Sequence, residues 1–119
     1  MKKTLVLGAS DNPARYSYKA ISSLLNHGHP VIAVGNKNST VMGLQIGNDL
    51  PQSGSVDTVT LYLNPANQRP YYDAILALRP KRIIFNPGTE NPELEQLAED
   101  AGIGTVEACT LVMLAVGQY

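Results

Sequence analysis

Short apolar runs alternate along this chain with stretches that place apolar residues at helical spacing. Runs of this kind, rich in Val, Ile, Leu and Thr, are typical of strands that are buried on both faces of a sheet. They predict strands at Thr4 to Leu7, Val31 to Val34, Asp57 to Leu63, Arg82 to Phe85 and Gly104 to Glu107.

The stretches between these runs predict helices. The first places apolar residues such as Ala20, Ile21 and Leu24 on one face, and Gly28 is expected to end it. By contrast, Gly35 to Thr40 are predicted to form a turn-rich loop. Val41 to Leu50 have no clear period and are predicted to be irregular. Further helices are predicted at Tyr71 to Leu78, Asn91 to Gly102 and Leu111 to Val116.

Strands and helices that alternate in this way require right-handed crossovers between parallel strands. We therefore predict an α/β, Rossmann-like, three-layer fold, in which a five-stranded parallel sheet carries helices on both faces. The chain has 119 residues, a length that fits one domain. We expect residues 1–119 to fold as a single nucleotide-binding domain.

Charge and cysteine content narrow the range of partners. The formal net charge is −1, and Cys109 is the single cysteine. Without a basic excess, neither nucleic acid nor an anionic membrane surface is an expected partner. A disulfide within the chain is impossible, which suits a reducing compartment. No apolar run approaches the ~18 residues of a membrane span, so we expect a cytoplasmic protein, with its oligomeric state left open.

The residues that follow each strand carry the candidate chemistry, because ligands of open parallel sheets bind beyond the carboxyl ends of the strands. Gly8 and Ala9 turn the chain from the first strand towards a helix whose N-terminus favours a diphosphate. Ser10, Asn12 and Ser17 can add side-chain donors. The loop reads Gly-Ala-Ser-Asp-Asn-Pro, which is neither G-x-G-x-x-G nor the P-loop pattern. The alternative is a plain turn with capping side chains.

Gly8 should approach the ligand through its backbone. We therefore expect Gly8→Val to abolish nucleotide binding while leaving the fold largely intact.

The ends of the second and fourth strands add two candidates. NAD-binding proteins place an acidic residue after the second strand, whereas this chain has Lys37 in that region. A lysine suits an extra phosphate on the ribose, as in CoA or NADP; the alternative is an ordinary solvated loop lysine. Asn86 follows the fourth strand at the same edge of the sheet and completes the predicted binding residues.

The histidines and the cysteine are weaker candidates for chemistry. His27 and His29 flank the glycine that ends the first helix, and we expect both to be solvated. Cys109 follows the fifth strand and should border the cleft. Because no basic residue adjoins it in sequence, we expect a slow-reacting thiol and no catalytic role.

Several short motifs occur in an order that points to one family. They are Val6-Leu7-Gly8-Ala9-Ser10, Asn12-Pro13, Ser17-Tyr18, Leu24 to Ile32, Lys37, Gly43, Val56-Asp57, Asn86-Pro87-Gly88, Leu97 to Gly102 and Cys109. As a set, they resemble the small single-domain bacterial CoA-binding proteins, whose fold is similar to the CoA-binding domain of the succinyl-CoA synthetase alpha subunit. The likeness runs from about Lys3 to Cys109.

This resemblance implies binding of CoA or a similar adenine nucleotide. Gly8-Ala9-Ser10 would hold the diphosphate, Asn12 and Ser17 would lie beside it, and Lys37 would lie near the adenosine ribose or its phosphate. The chain also departs from the family at several of these positions. Some departures remove positive charge from the rim of the predicted cleft, which would weaken binding of a multiply charged ligand. The departures are Gly35-Asn36-Lys37 for Asn-Pro-Lys, Leu63-Asn64 for basic residues, Asn86 for Gln, and Ala108 and Thr110 for the Arg and Pro around Cys109.

Three functions are compatible with these residues. The leading hypothesis is a non-catalytic module that binds CoA, acyl-CoA or a related adenine nucleotide. The alternative is a small NADP-dependent oxidoreductase or another nucleotide-using enzyme, although the G-x-G-x-x-G motif and a Tyr-x-x-x-Lys pair are absent. The third is a fold that has lost its ligand site and serves protein–protein contact.

Overall fold

The computed structural model describes all 119 residues of the chain. Each predicted strand is present, and the sheet contains two more. The strands are β1 (Thr4–Leu7), β2 (Val31–Val34), β3 (Ser39–Val41), β4 (Leu44–Gly47), β5 (Thr58–Leu61), β6 (Arg82–Phe85) and β7 (Gly104–Glu107).

The chain also forms five α-helices and one turn of 3-10 helix, and the last helix follows the final strand. Pro65 and Pro92 each stand at a helix start, where a missing N–H costs nothing. Gly28, with a φ of 82°, takes the left-handed conformation just after the first helix. The helices are α1 (Tyr16–Asn26), α2 (Pro65–Gln68), the 3-10 turn (Arg69–Tyr71), α3 (Tyr72–Leu78), α4 (Pro92–Asp100) and α5 (Thr110–Ala115).

The sheet has the strand order β3-β4-β2-β1-β5-β6-β7, with β1 at its centre. β1 pairs in parallel with β2, where Thr4 lies opposite Val31, and with β5, where Thr4 lies opposite Thr58. The direction of winding therefore reverses between β1 and β5. This is the α/β, Rossmann-like architecture that the alternating pattern predicts, and a reversal of this kind opens a crevice at the carboxyl edge of the sheet.

The two additional strands form a hairpin in residues 35–50, where we predicted loops and irregular structure. β3 pairs antiparallel with β4, so the sheet has seven strands and is mostly parallel. Met42 and Gly43 make the turn with φ values of 49° and 79°, the double positive φ of a type I′ hairpin. The sequence did not predict this hairpin because its strands are too short to show an alternating pattern. Its first turn residue is also Met, where Asn or Asp is usual. Val41 and Ile46 are nonetheless buried.

Helices cover both faces of the sheet and bury two apolar clusters. On one face, Leu7, Leu61 and Phe85 of the strands join a cluster that includes residues of α3 and α4. On the other face, Val6 joins a cluster with residues of α1 and α5. Continuous burial along β1, β5 and most of β6 explains why these strands read as unbroken apolar runs. None of the helices combines the length and the apolar character needed to cross a bilayer.

The amino edge of the sheet holds both histidines. His27 is exposed, as expected. The expectation for His29 was wrong: its ring is half-buried, packs edge-on against Tyr119 at 4.8 Å between centroids, and its Nδ1 accepts the backbone N–H of Lys2 at 3.0 Å. The partners of His29 lie at the two ends of the chain, which a local pattern cannot reveal.

Candidate functional site

A cavity of about 1090 Å³ lies at the carboxyl ends of the central strands. Its walls come from the segments that follow β1, β2, β5, β6 and β7. Six of the seven predicted binding residues line it: Gly8, Ala9, Ser10, Ser17, Lys37 and Asn86.

Asn12, the seventh predicted residue, is exposed and does not line the cavity. Its Oδ1 accepts the backbone N–H of Ala14 at 3.0 Å, and its backbone carbonyl accepts that of Arg15 at 3.0 Å. Asn12 therefore shapes the turn that leads into α1.

The β1–α1 loop offers fewer free donors than its sequence indicates. The N–H groups of Gly8 and Ala9 both donate to the carbonyl of Val34, at 2.8 and 2.9 Å. These two bonds tie the loop to the end of β2. The backbone N–H groups of Ser10 and Asp11 have no acceptor within the protein. Within this loop, the backbone N–H groups that are free for a ligand are therefore those of Ser10 and Asp11.

Gly8 is required by the packing of the strands around it. Its φ is 97°, and a Cβ there would lie 2.9 Å from the backbone carbonyl carbon of Tyr62 and 3.0 Å from its oxygen. Since backbone atoms cannot move aside cheaply, Gly8→Val would strain the junction of β1 and β5. The expectation that this variant keeps its fold is therefore wrong.

The first turn of α1 faces the cavity without a cap. Arg15 is the N-cap residue, and its side chain bonds to no helix N–H. The backbone N–H groups of Tyr16, Ser17 and Tyr18 find no acceptor within the protein. In contrast, the first turns of α2 and α4 are capped by Asn64 and Asn91. Unpaired donors at a helix start, with the positive end of its dipole, favour an anion.

Two cations flank this turn. Lys37 lies in the loop after β2, and its Nζ is 3.5 Å from Oδ2 of Asp11. Arg15 also lines the cavity and forms no ion pair within the protein. Arg15 is not among the predicted binding residues, although a lone basic residue just before a helix predicted to face a phosphate was a usable signal.

Gly35 lets two loops approach closely beside the cations. It is buried, and a Cβ there would lie 2.5 Å from the carbonyl oxygen of Ala9. The close contact with Ala9 is the physical reason that this chain needs a glycine at that position.

Asn86 forms part of the cavity floor, but its side chain is fully engaged inside the protein. Its Nδ2 donates to Thr60 Oγ1 at 2.7 Å and to the carbonyl of Leu61 at 2.9 Å. Its Oδ1 accepts the backbone N–H of Thr110 at 2.9 Å. Asn86 thus joins β5, the end of β6 and the start of α5, and it contributes to the site by holding these elements in place.

The far end of the cavity lies beyond β5, β6 and β7. Cys109 is half-buried there at the N-cap of α5, so the expectation that it borders the cleft is confirmed. Tyr62, Leu63 and Leu111 also line the cavity, and Tyr62 and Leu63 lie beside Gly8. Burial raises the pKa of Tyr62 to about 12, so its hydroxyl stays protonated at any physiological pH.

The parallel sheet and the cavity at its carboxyl edge define a Rossmann-like domain. Residues 2–115 match the family described as CoA binding domain. The chain belongs to this family of CoA-binding domains, which confirms the resemblance drawn from its motifs.

Solved structures agree with this assignment. A crystal structure of an uncharacterized protein is 54% identical in sequence, with a TM-score of 0.97 over 100% of this chain and 98% of that one. The cell-free ID.343 protein of Thermus thermophilus is 26% identical, with a TM-score of 0.87 over 99% and 91% of the two chains. A hypothetical protein of Pyrococcus horikoshii OT3 is also 26% identical, with a TM-score of 0.85 over 93% and 80%.

Proposed function

We propose that residues 1–119 act as one binding module for CoA, acyl-CoA or a related adenine nucleotide, without transforming it. The observation that carries this proposal is the convergence of unpaired backbone N–H groups on one cavity, from Ser10, Asp11 and the first turn of α1. Arg15 and Lys37 add positive charge beside them. Backbone donors, a helix start and cations together are the chemistry that recognises a diphosphate.

The adenosine and the pantetheine arm would lie on opposite sides of the diphosphate, along the length of the cavity. Adenosine would lie towards β2 and the hairpin, where Gly35, Ser39 and Ile46 line the wall. Lys37 in this region would approach a phosphate on the ribose. The pantetheine arm would run the other way, past β5 towards Cys109.

A non-catalytic role is supported by what surrounds the cavity. Both histidines lie at the opposite edge of the sheet, where they cannot act as a base for Cys109 or Tyr62. The side chain of Asn86 has its bonds inside the protein. The cavity thus offers donors and positive charge for binding, and its one thiol has no partner that would activate it.

Isothermal titration with CoA, NADP and ADP tests the proposal, with Arg15→Ala as the decisive variant. We expect CoA to bind best and Arg15→Ala to weaken it by about tenfold or more, the value of a charge-assisted contact. Arg79→Ala is the matched control, because it removes the same charge from an exposed residue just before β6, at the amino edge. Tighter binding of NADP would favour the enzyme hypothesis, and no binding of any of the three would favour a lost site.

A further inference from the structure

The side chain of Gln68, the last residue of α2, is completely buried and bonds to the loops that follow β5 and β6. Its Nε2 donates to the carbonyl of Leu63 at 2.8 Å and to the carbonyl of Thr89 at 2.7 Å. Its Oε1 accepts a hydrogen bond from Nδ2 of Asn91 at 2.9 Å. Because two carbonyls face one nitrogen, the amide can point in only one direction.

Gln68 supplies a link that the strands themselves do not make. The pairing of β5 with β6 ends at Leu61 and Phe85. Beyond that pair, no backbone hydrogen bond joins the loop after β5 to the loop after β6. Leu63 and Thr89 line the cavity, whereas Gln68 does not. Gln68 therefore lies behind the cavity wall and sets the distance between the two loops that form it.

A second buried amide holds Gln68 in this position. Nδ2 of Asn91 donates to Gln68 Oε1 and, at 2.7 Å, to Tyr72 Oη, while its Oδ1 caps α4 through the N–H of Leu94 at 3.3 Å. Tyr72 Oη donates in turn to Oε1 of Glu93 at 2.9 Å. Both amide nitrogens thus use their two hydrogens. A polar network that is satisfied in this way specifies a single arrangement, so the wall is formed before any ligand arrives.

The wall that Gln68 holds lies on one side of the proposed diphosphate site. A Cβ at Gly8 would lie 3.2 Å from Cδ2 of Leu63, so the loop after β5 adjoins the β1–α1 loop. In the sheet, β5, β6 and β7 lie on one side of β1, and β2 with the hairpin lies on the other. A group that extends from the diphosphate towards Cys109 would cross this wall, whereas adenosine on the β2 side would not.

We propose that Gln68 is a positioning residue that sets the cavity wall for the pantetheine arm of the ligand. Gln68 touches no part of the ligand and acts through the loops of Leu63 and Thr89. This inference rests on the proposed function and deepens it, because recognition of the arm, and not of the nucleotide, then depends on a buried amide. A wall that is already formed removes the cost of ordering these loops when the arm binds.

Titration of wild type and Gln68→Met with two ligands tests the proposal. Met is similar in length to Gln but has no donor. CoA carries the arm, and adenosine 3′-phosphate 5′-diphosphate lacks it. We expect Gln68→Met to weaken CoA by about tenfold and the nucleotide without the arm by less than about twofold. A general loss of folded protein would lower both affinities together.

Thr58→Val is the matched control. Thr58 is also completely buried, and its hydroxyl bonds to Asp57 and Arg82 at the amino end of β5, away from the cavity. Its loss should lower stability and leave both affinities unchanged.

Asn91→Asp tests the same link if Gln68→Met does not fold. An aspartate there keeps the cap of α4, but it sets a carboxylate oxygen against Gln68 Oε1, so the Gln68 amide must turn away from its carbonyls. We expect the same selective loss for CoA. In the double variant, the loss should be no larger than for Gln68→Met alone, because the two residues act through one link.

Amide NMR of the unliganded protein supplies an independent readout. Gln68→Met should shift or broaden the signals of Leu63 and Thr89 and leave those of Gly35 and Lys37 unchanged. Unaltered Leu63 and Thr89 signals, an equal loss of affinity for the two ligands, or no loss for either would each overturn the inference. If the wild type binds neither ligand, the proposed function itself has failed; if it binds both and the variants keep its preference for CoA, only the present inference has failed.

Discussion

Asp11 and Lys37 form an ion pair between the loop after β1 and the loop after β2, with 3.5 Å between Oδ2 and Nζ. Both residues line the cavity, so an acidic group stands within the proposed anion site. The lysine side chain is 73% exposed and that of Asp11 34%, and pairs this exposed are weak. Phosphate could therefore displace Asp11 from Lys37 at little cost.

Asp11→Asn should tighten CoA binding. The substitution frees Lys37 and removes a negative charge close to the expected phosphates, a gain of up to about 1 kcal/mol, or roughly fivefold in affinity. Titration at low and high salt checks this, because the gain should shrink as salt screens the charges. Asp57→Asn is the control, because Asp57 pairs with Lys81 at 3.9 Å at the opposite edge of the sheet. Losing that ion pair should leave the affinity for CoA unchanged.

Lys37→Ala should weaken CoA more than dephospho-CoA. Only CoA presents the extra ribose phosphate, and a charge-assisted contact from this exposed lysine is worth about 1 kcal/mol. Titration of both ligands measures the difference, with Lys81→Ala as a control for the lost charge. An equal loss for the two ligands would place Lys37 near the site without assigning it to that phosphate.

Gly35→Ala should destabilise the protein and lower its affinity for nucleotide. The new Cβ would lie 2.5 Å from the carbonyl oxygen of Ala9, so the β1–α1 loop must shift, at a cost of about 1–3 kcal/mol. Gly47→Ala is a close control, because Gly47 accepts the Gly35 N–H but has no atom within 4 Å of its own Cβ position. Urea unfolding and titration of both variants would show whether the close approach matters.

Asn86→Ala should lower the free energy of unfolding more than it weakens ligand binding. It would leave Thr60 Oγ1, the Leu61 carbonyl and the Thr110 N–H without their buried partner, at about 2–4 kcal/mol. Asn67→Ala, an exposed position on the same cavity wall, should change the free energy of unfolding by about 0.5 kcal/mol or less. If Asn86 contacts the ligand directly instead, its variant would fold almost normally and lose affinity.

His29 should make the protein less stable in mild acid. Burial, with nearby positive charge such as that of Lys2 and Arg82, lowers the pKa of His29 below its usual 6.5. As pH falls through 6.5, His29 becomes protonated in the unfolded chain but stays neutral in the folded protein. The free energy of unfolding therefore falls, and it keeps falling until the pH is below the pKa of His29 in the folded protein.

Urea unfolding across pH 4 to 8 checks this behaviour in wild type and His29→Gln, with His27→Gln as the control for an exposed histidine. The expected outcome is a flatter pH profile for His29→Gln only. Identical slopes in all three proteins would show that His29 does not contribute.

The main strands could be predicted because their signal is local. β1, β2, β6 and β7 begin and end where the apolar runs do, and β5 is the central part of the predicted third run. The hairpin of β3 and β4 could not be predicted, since strands of three and four residues are too short to display a period. What stabilises them is contact with β2 and burial of Val41 and Ile46, which depend on the finished sheet.

The sequence by itself determined the fold class, the edge of the sheet where the cavity opens, and most of the residues around it, because the carboxyl ends of parallel strands must share one edge. Only the tertiary structure decided which of those residues have groups free for a ligand. The N–H groups of Gly8 and Ala9 are taken by Val34, and the side chain of Asn86 is taken by Thr60, Leu61 and Thr110. These partners lie some 25 residues away along the chain, so their bonds exist only once the strands have paired and the helices have packed.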